Sequence, residues 1–132
     1  FSDEYFGFDD ALYAAVRLIN LLSTTDKKLS EIMSKFPKLF NTPEIRLGCD
    51  DKEKFKLIKK IIKNQKGKKY SSIDGIRVSI DNGWWLLRAS NTQAAIVLRC
   101  ESNTEQGLKK LVNIVKNELS LVSPKLAEQI IT

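Results

Sequence analysis

Five consecutive residues, Arg88-Ala89-Ser90-Asn91-Thr92, gather one guanidinium and three small polar side chains between two apolar runs. A turn needs only Gly, Asn or Pro, so this density of donors exceeds what chain reversal requires. Arg88 offers a planar fork, Ser90 and Thr92 offer hydroxyls, Asn91 offers an amide, and loop N–H groups could converge as a nest. Together they are suited to holding a phosphate. The plain alternative is an ordinary polar loop whose arginine pairs with a neighbouring carboxylate.

The flanking runs read as the strands that position this loop. Residues 84–87 are continuously apolar, and in 94–100 the side chains Ile96, Leu98 and Cys100 alternate with Ala95, Val97 and Arg99. Ile76, Val78 and Ile80 alternate in the same way, and Asn82-Gly83 signals a tight turn into the Trp84 strand. Ile45, Leu47 and Cys49 mark another strand, and residues 70–73 a short one. Between them a helix to about Asn64, capped by Asp50-Asp51, turns Phe55, Ile58, Ile61 and Ile62 inward and Lys54, Lys56, Lys59, Lys60 and Lys63 outward. Ser102 with Glu105 forms a capping box for a helix to about Val122, stopped at Ser123-Pro124. Residues 125–132 are too short to assign and are expected to be frayed or lightly packed.

Upstream, residues 9–23 form a helix that is apolar nearly all round, with Leu12, Val16, Ile19 and Leu22 on one face and Ala11, Ala14, Ala15, Leu18 and Leu21 over most of the rest. Such a helix is normally buried on several sides. Little sequence precedes it, so the chain is expected to be a piece of something longer, with a sticky surface. A shorter helix comes after Thr24-Thr25-Asp26 and is ended by Pro37. Asn41-Thr42-Pro43 is the expected boundary between this helical segment and the strand-rich remainder of the chain. The order from residue 44 gives an α+β domain, a sheet covered on one face by two helices.

Composition narrows the chemistry. The chain has 132 residues, 42% of them hydrophobic, which suits one ordinary domain with a small appendage. It contains no histidine and two cysteines, Cys49 and Cys100, so neither a Ser-His or Cys-His pair nor a zinc site is expected. A reducing, cytoplasmic setting fits the two cysteines, and no apolar run approaches the roughly 20 residues of a membrane helix. Net charge is +6, with lysines concentrated between Lys52 and Lys69. A basic stripe beside Trp84 and Trp85 raises a rival reading, a small nucleic-acid-binding module with tryptophan stacking platforms. Against it, the lysines lie on the polar side of an amphipathic helix, arginine is scarce, and the tryptophans sit in an apolar strand.

The blocks Asp74-Gly75-Ile76-Arg77-Val78, Gly83-Trp84, Arg88 to Thr92, and Leu98-Arg99 with Glu101 resemble the C-terminal domain of the α-D-phosphohexomutases, most closely the bacterial phosphomannomutase/phosphoglucomutase branch. Phe6 to Ala15 resembles the segment closing the third domain of those enzymes, and Asn41 to Ile45 the connector into the fourth. The resemblance implies that residues 1–42 are the C-terminal remnant of the third domain, with two helices. Residues 43–132 would be the fourth, a four-stranded antiparallel sheet with two helices on one face in the TATA-binding-protein-like topology.

For the whole enzyme the resemblance implies interconversion of hexose 1- and 6-phosphates, mannose or glucose, through a phosphoserine and a hexose 1,6-bisphosphate. Mg²⁺ would be held outside this chain. Arg88, Ser90, Asn91 and Thr92 would grip the substrate phosphate that is not reacting. The partners are then the phosphosugar and the enzyme's other domains, and the chain alone is expected to be inactive. It departs from the family where Gln93-Ala94 stands in place of a common Glu-Pro, and where Ala11 follows the aspartate pair in place of Gly.

Overall fold

The computed structural model describes residues 1–65, 67, 69–80 and 82–131. They form two compact units, Phe1–Pro37 and Lys38–Thr132. The division falls before the expected boundary at 42–43, because Phe40 and Asn41 pair with a strand of the second unit.

In the first unit, α1 spans Ala11–Ser23 and α2 spans Leu29–Met33. Asp10 caps α1, its carboxylate accepting from Tyr13 N at 2.9 Å. Tyr5 stacks on Tyr13 with ring centroids 4.3 Å apart, and Arg17 pairs with Asp3 at 2.6 Å. The apolar faces are not covered: Leu12 is 80% and Ile19 66% exposed, and no residue of this unit is buried. α2 ends at Met33, before Pro37. It is closed by turns that carry Lys35 N to Ile32 O and Phe36 N to Met33 O.

The second unit is an α+β layer structure. Four longer strands, β2 (Ile45–Gly48), β4 (Ile76–Ile80), β5 (Gly83–Ala89) and β6 (Ala95–Ser102), lie antiparallel in the order β2-β6-β5-β4. Two strands of two residues extend the expected four-stranded sheet: β1 (Phe40–Asn41) on β6 and β3 (Tyr70–Ser71) on β4. The registers Val78↔Trp85↔Cys100 and Ile76↔Leu87↔Leu98 put one apolar row of each strand on a single face. Against that face pack Leu57, Ile58 and Ile61 of α3 (Lys54–Asn64) and Leu111, Val112, Val115 and Leu119 of α4 (Glu105–Ser120). Trp85 is the largest side chain of this core, 1% exposed.

Four local expectations are revised. α3 starts at Lys54 with Glu53 at its cap position, not directly after Asp50-Asp51, because Asp50 first closes a turn, its carbonyl accepting from Glu53 N and Lys54 N. Phe55, expected inward, is exposed, and Leu57 takes its place in the core. Thr104, not Ser102, caps α4: its hydroxyl accepts from Gly107 N at 3.0 Å, while Ser102 continues the inward row of β6. Pro124 opens a further helix, α5 (Pro124–Glu128), at the position where a missing N–H costs nothing. Leu126, Ala127 and Ile130 then enter the core, so this end is packed, not frayed. Gln129 also donates to Gly48 O and accepts from Gly48 N, satisfying the backbone at the end of edge strand β2.

Gly83, read as a turn residue, is instead the first residue of β5. A Cβ there would stand 2.4 Å from Glu101 O, so it serves close packing. Asp81, just before that turn, and two lysines of the basic loop, Lys66 and Lys68, lie outside the described residues.

Candidate functional site

The loop at 88–94 is built by the central hairpin. β5 pairs with β4 on one side and β6 on the other, which fixes its end, and Ser90 N donates to Ala95 O at 2.9 Å to close the loop. Arg88 is the penultimate residue of β5. Alternation puts it with Trp84 and Leu86 on the face opposite the helices. Its guanidinium meets the Asp74 carboxylate at 3.1 Å, while its Nε is buried with no hydrogen-bond partner among the described residues. Asp74 is held there by Gly75, whose φ of +77° and tight approach (a Cβ would lie 2.2 Å from Leu87 O) bring the turn onto the β5 backbone.

The three polar residues divide. Ser90 is buried, and its Oγ accepts from Thr92 N at 3.4 Å and Gln93 N at 3.2 Å, which leaves its own hydrogen to donate. Asn91 and Thr92 are exposed at the tip. No hydrogen bond joins Arg88 to these three among the described residues. The nest of loop N–H groups is not formed: none of the loop's residues has positive φ, nor does any other non-glycine residue among those described, and two of the amides converge on the Ser90 hydroxyl instead. Beside Asn91 and Asp74 lies a cavity of about 180 Å³ lined also by Phe55, Ile58 and Ile62 of α3; Arg88, Ser90 and Thr92 do not line it.

Several groups that hold or extend the loop escaped the sequence reading. Lys54, expected outward, is buried, and its ammonium donates to the Gln93 carbonyl at 3.0 Å and the Asp51 carboxylate at 2.6 Å. The signal was present: Lys54, Ile58, Ile61 and Gln65 share one helical stripe, and all four are buried. Arg46 donates to the Gln93 side chain, and Cys49 N donates to Ala94 O. Arg99 stands diagonally across from Arg88 on the same sheet face, exposed and without an ion pair among the described residues. A second guanidinium therefore lies within reach of the same surface.

Other chemistry is weakly supported. Burial pushes the Cys100 thiol up to about 12 and raises Cys49 as well, so neither is an activated nucleophile. Trp85 is core. Trp84 donates to Glu101 and carries the Arg77 guanidinium 4.6 Å over its ring, which leaves little for base stacking. No cluster of three or more potential metal ligands occurs among the described residues, and none of their helices is long and apolar enough to cross a membrane.

Comparison with known proteins bears on the same segment. The family model for the phosphoglucomutase/phosphomannomutase C-terminal domain matches residues 44–118. Over 128 residues the chain is 37% identical to a phosphomannomutase/phosphoglucomutase of Pseudomonas aeruginosa, covering 96% of this chain and 28% of the relative. A phosphoglucosamine mutase of Methanococcus vannielii is 35% identical over 117 residues, covering 86% of this chain and 25% of the relative. The crystal structure of a phosphoglucomutase/phosphomannomutase family protein from Burkholderia thailandensis superposes with a TM-score of 0.78 at 31% identity, covering 94% of this chain and 26% of that one. The chain thus spans about a quarter of the length of these relatives. It belongs to the phosphoglucomutase/phosphomannomutase family, and residues 44–118 carry that family's C-terminal domain.

Proposed function

We propose that this chain supplies the phosphate grip of a phosphohexomutase acting on mannose or glucose phosphates. Residues 1–42 are then the closing piece of the third domain and 43–132 the fourth. The observation that carries the reading is the end of β5, where a guanidinium whose buried Nε has no hydrogen-bond partner among the described residues stands two residues from a buried hydroxyl with a free hydrogen. Arg88 and Ser90 are the fixed donors, Asn91 and Thr92 close over the anion from the tip, and Arg99 adds charge from the neighbouring strand. On binding, phosphate replaces the exposed Asp74 carboxylate as the partner of Arg88.

The division of labour follows from the reaction. A phosphoserine elsewhere in the enzyme donates its phosphoryl group to the free hydroxyl of a hexose 1- or 6-phosphate, giving the 1,6-bisphosphate. That intermediate reorients and returns its other phosphoryl group to the serine. A grip that reads phosphate, and not the pattern of sugar hydroxyls, serves both orientations. Binding energy at the resting phosphate holds the reacting end in place. Relatives named for mannose, glucose and glucosamine substrates align to the same stretch, which supports placing sugar choice outside it. Among the described residues no three carboxylates or other metal-ligating side chains cluster. Mg²⁺, which would neutralise charge on the transferring phosphoryl group, is assigned to the remainder of the enzyme. The chain alone binds without turnover, and its two free cysteines suit a cytoplasmic enzyme.

Arg88→Ala in the full-length enzyme tests this. The expected loss in kcat/KM corresponds to about 2–4 kcal/mol, the scale of a lost charge-assisted grip. An unchanged kcat/KM would overturn the assignment.

A further inference from the structure

We infer that Lys54 is a positioning residue for the phosphate-binding loop, its buried ammonium fixing the Gln93 peptide that orients Ser90. This rests on the reading of the loop as a phosphate grip.

Lys54 is the one ionised side chain buried among the described residues, 3% exposed, and burying an ammonium is costly unless it is well bonded. Its ion pair does not explain the position, because Asp51 is 70% exposed and could pair with a surface lysine, as Glu53 does with Lys56 at 2.9 Å. The stripe of α3 does not require it either, since an unbranched apolar side chain would fill the same space. What the buried position adds is reach to the loop.

Gln93 is where the loop's bonds meet. Its carbonyl accepts from Lys54 Nζ at 3.0 Å and Ala95 N at 2.9 Å, its N–H donates to Ser90 Oγ at 3.2 Å, and its side chain accepts from Arg46. Holding the carbonyl therefore fixes the peptide on either side, and with it the direction in which the Ser90 hydroxyl presents its free hydrogen. Ala94 carries no ring to stiffen the loop exit, so the ammonium supplies by hydrogen bonding what the backbone does not constrain.

The test compares Lys54→Met with Lys56→Met, which removes the same charge from an exposed site of the same helix. Inorganic phosphate is titrated into each 132-residue chain, with amide exchange followed throughout. Lys54→Met is expected to weaken phosphate binding about tenfold and to speed exchange at Thr92 and Gln93. Core exchange and the melting temperature should hold or rise, as when a buried ion is replaced by an apolar side chain. Lys56→Met should change neither. Equal phosphate affinity in Lys54→Met, or a collapsed spectrum assigning Lys54 to the core itself, would overturn the inference. If the unsubstituted chain binds no phosphate, the grip reading falls. Exchange at Thr92 and Gln93 then decides the loop-holding role alone, faster exchange supporting it and unchanged exchange refuting it.

Discussion

The two units of this chain are patterned by the same helical rule and end in opposite states. α1 carries apolar residues almost all round and buries none of them, whereas α3 and α4 carry narrower stripes and bury them against a sheet. The difference is the second layer. Two short helices joined by a turn present no surface large enough to cover a stripe, and helices of this length owe most of their stability to tertiary packing. The first unit is left with an aspartate cap, stacked tyrosines and an exposed ion pair, each a small contribution. An uncovered face of this size marks a surface made for packing, in line with the proposal that it closes a larger domain. The second unit buries its own stripes against its own sheet, and that packed sheet carries the loop.

The largest test of this contrast is substitution in each apolar surface. Trp85→Ala should cost about 3–5 kcal/mol of unfolding free energy, because it empties the centre of the core. Ile19→Ala in the first unit should stay within about 0.5 kcal/mol, since the side chain is already in water. Chemical denaturation of the two variants measures both, and similar losses would erase the distinction.

A smaller test uses matched caps. Thr104→Ala, at the start of α4, should lower the stability of the cooperative unit by about 1 kcal/mol. Asp10→Ala removes the same kind of bond from α1, and should reduce helical content without moving the main transition.

The smallest effect is one of pH. The Tyr13 N–H, with Tyr5 adding to it, holds the Asp10 carboxyl below its ordinary value. Its contribution is therefore present above the unfolded carboxylate range near pH 4 and is lost as pH falls through the lowered value. Circular dichroism should show helix loss confined to acid in the parent chain, and none of that titration in Asp10→Asn. Helix loss on raising pH would contradict the sign.

Much of the second unit was legible in the sequence because period-two alternation survives in its strands. Ile76, Val78 and Ile80 and the row Ile96, Leu98, Cys100 gave the sheet face directly. Errors arose where one residue type serves two roles. Lys54 was read as outer because lysine usually is, although its place on the stripe with Ile58 and Ile61 was visible. Ser102 was read as a cap, yet it is the next inward residue of β6. Pro124 stops one helix by position and starts another by geometry. For the candidate site, Arg88, Ser90, Asn91 and Thr92 could be grouped from the sequence because they are contiguous. Asp74, Arg46 and Lys54 come from other elements, and no local pattern brings them to the loop.

An amide NMR titration of the chain with glucose 1-phosphate, inorganic phosphate and unphosphorylated glucose tests the central claim most directly. Saturable shifts confined to Arg88 through Thr92, produced by both phosphate-bearing ligands and not by glucose, are the predicted result. Absence of any loop shift at saturating phosphate, or equal shifts with glucose, would contradict a phosphate grip at the end of β5.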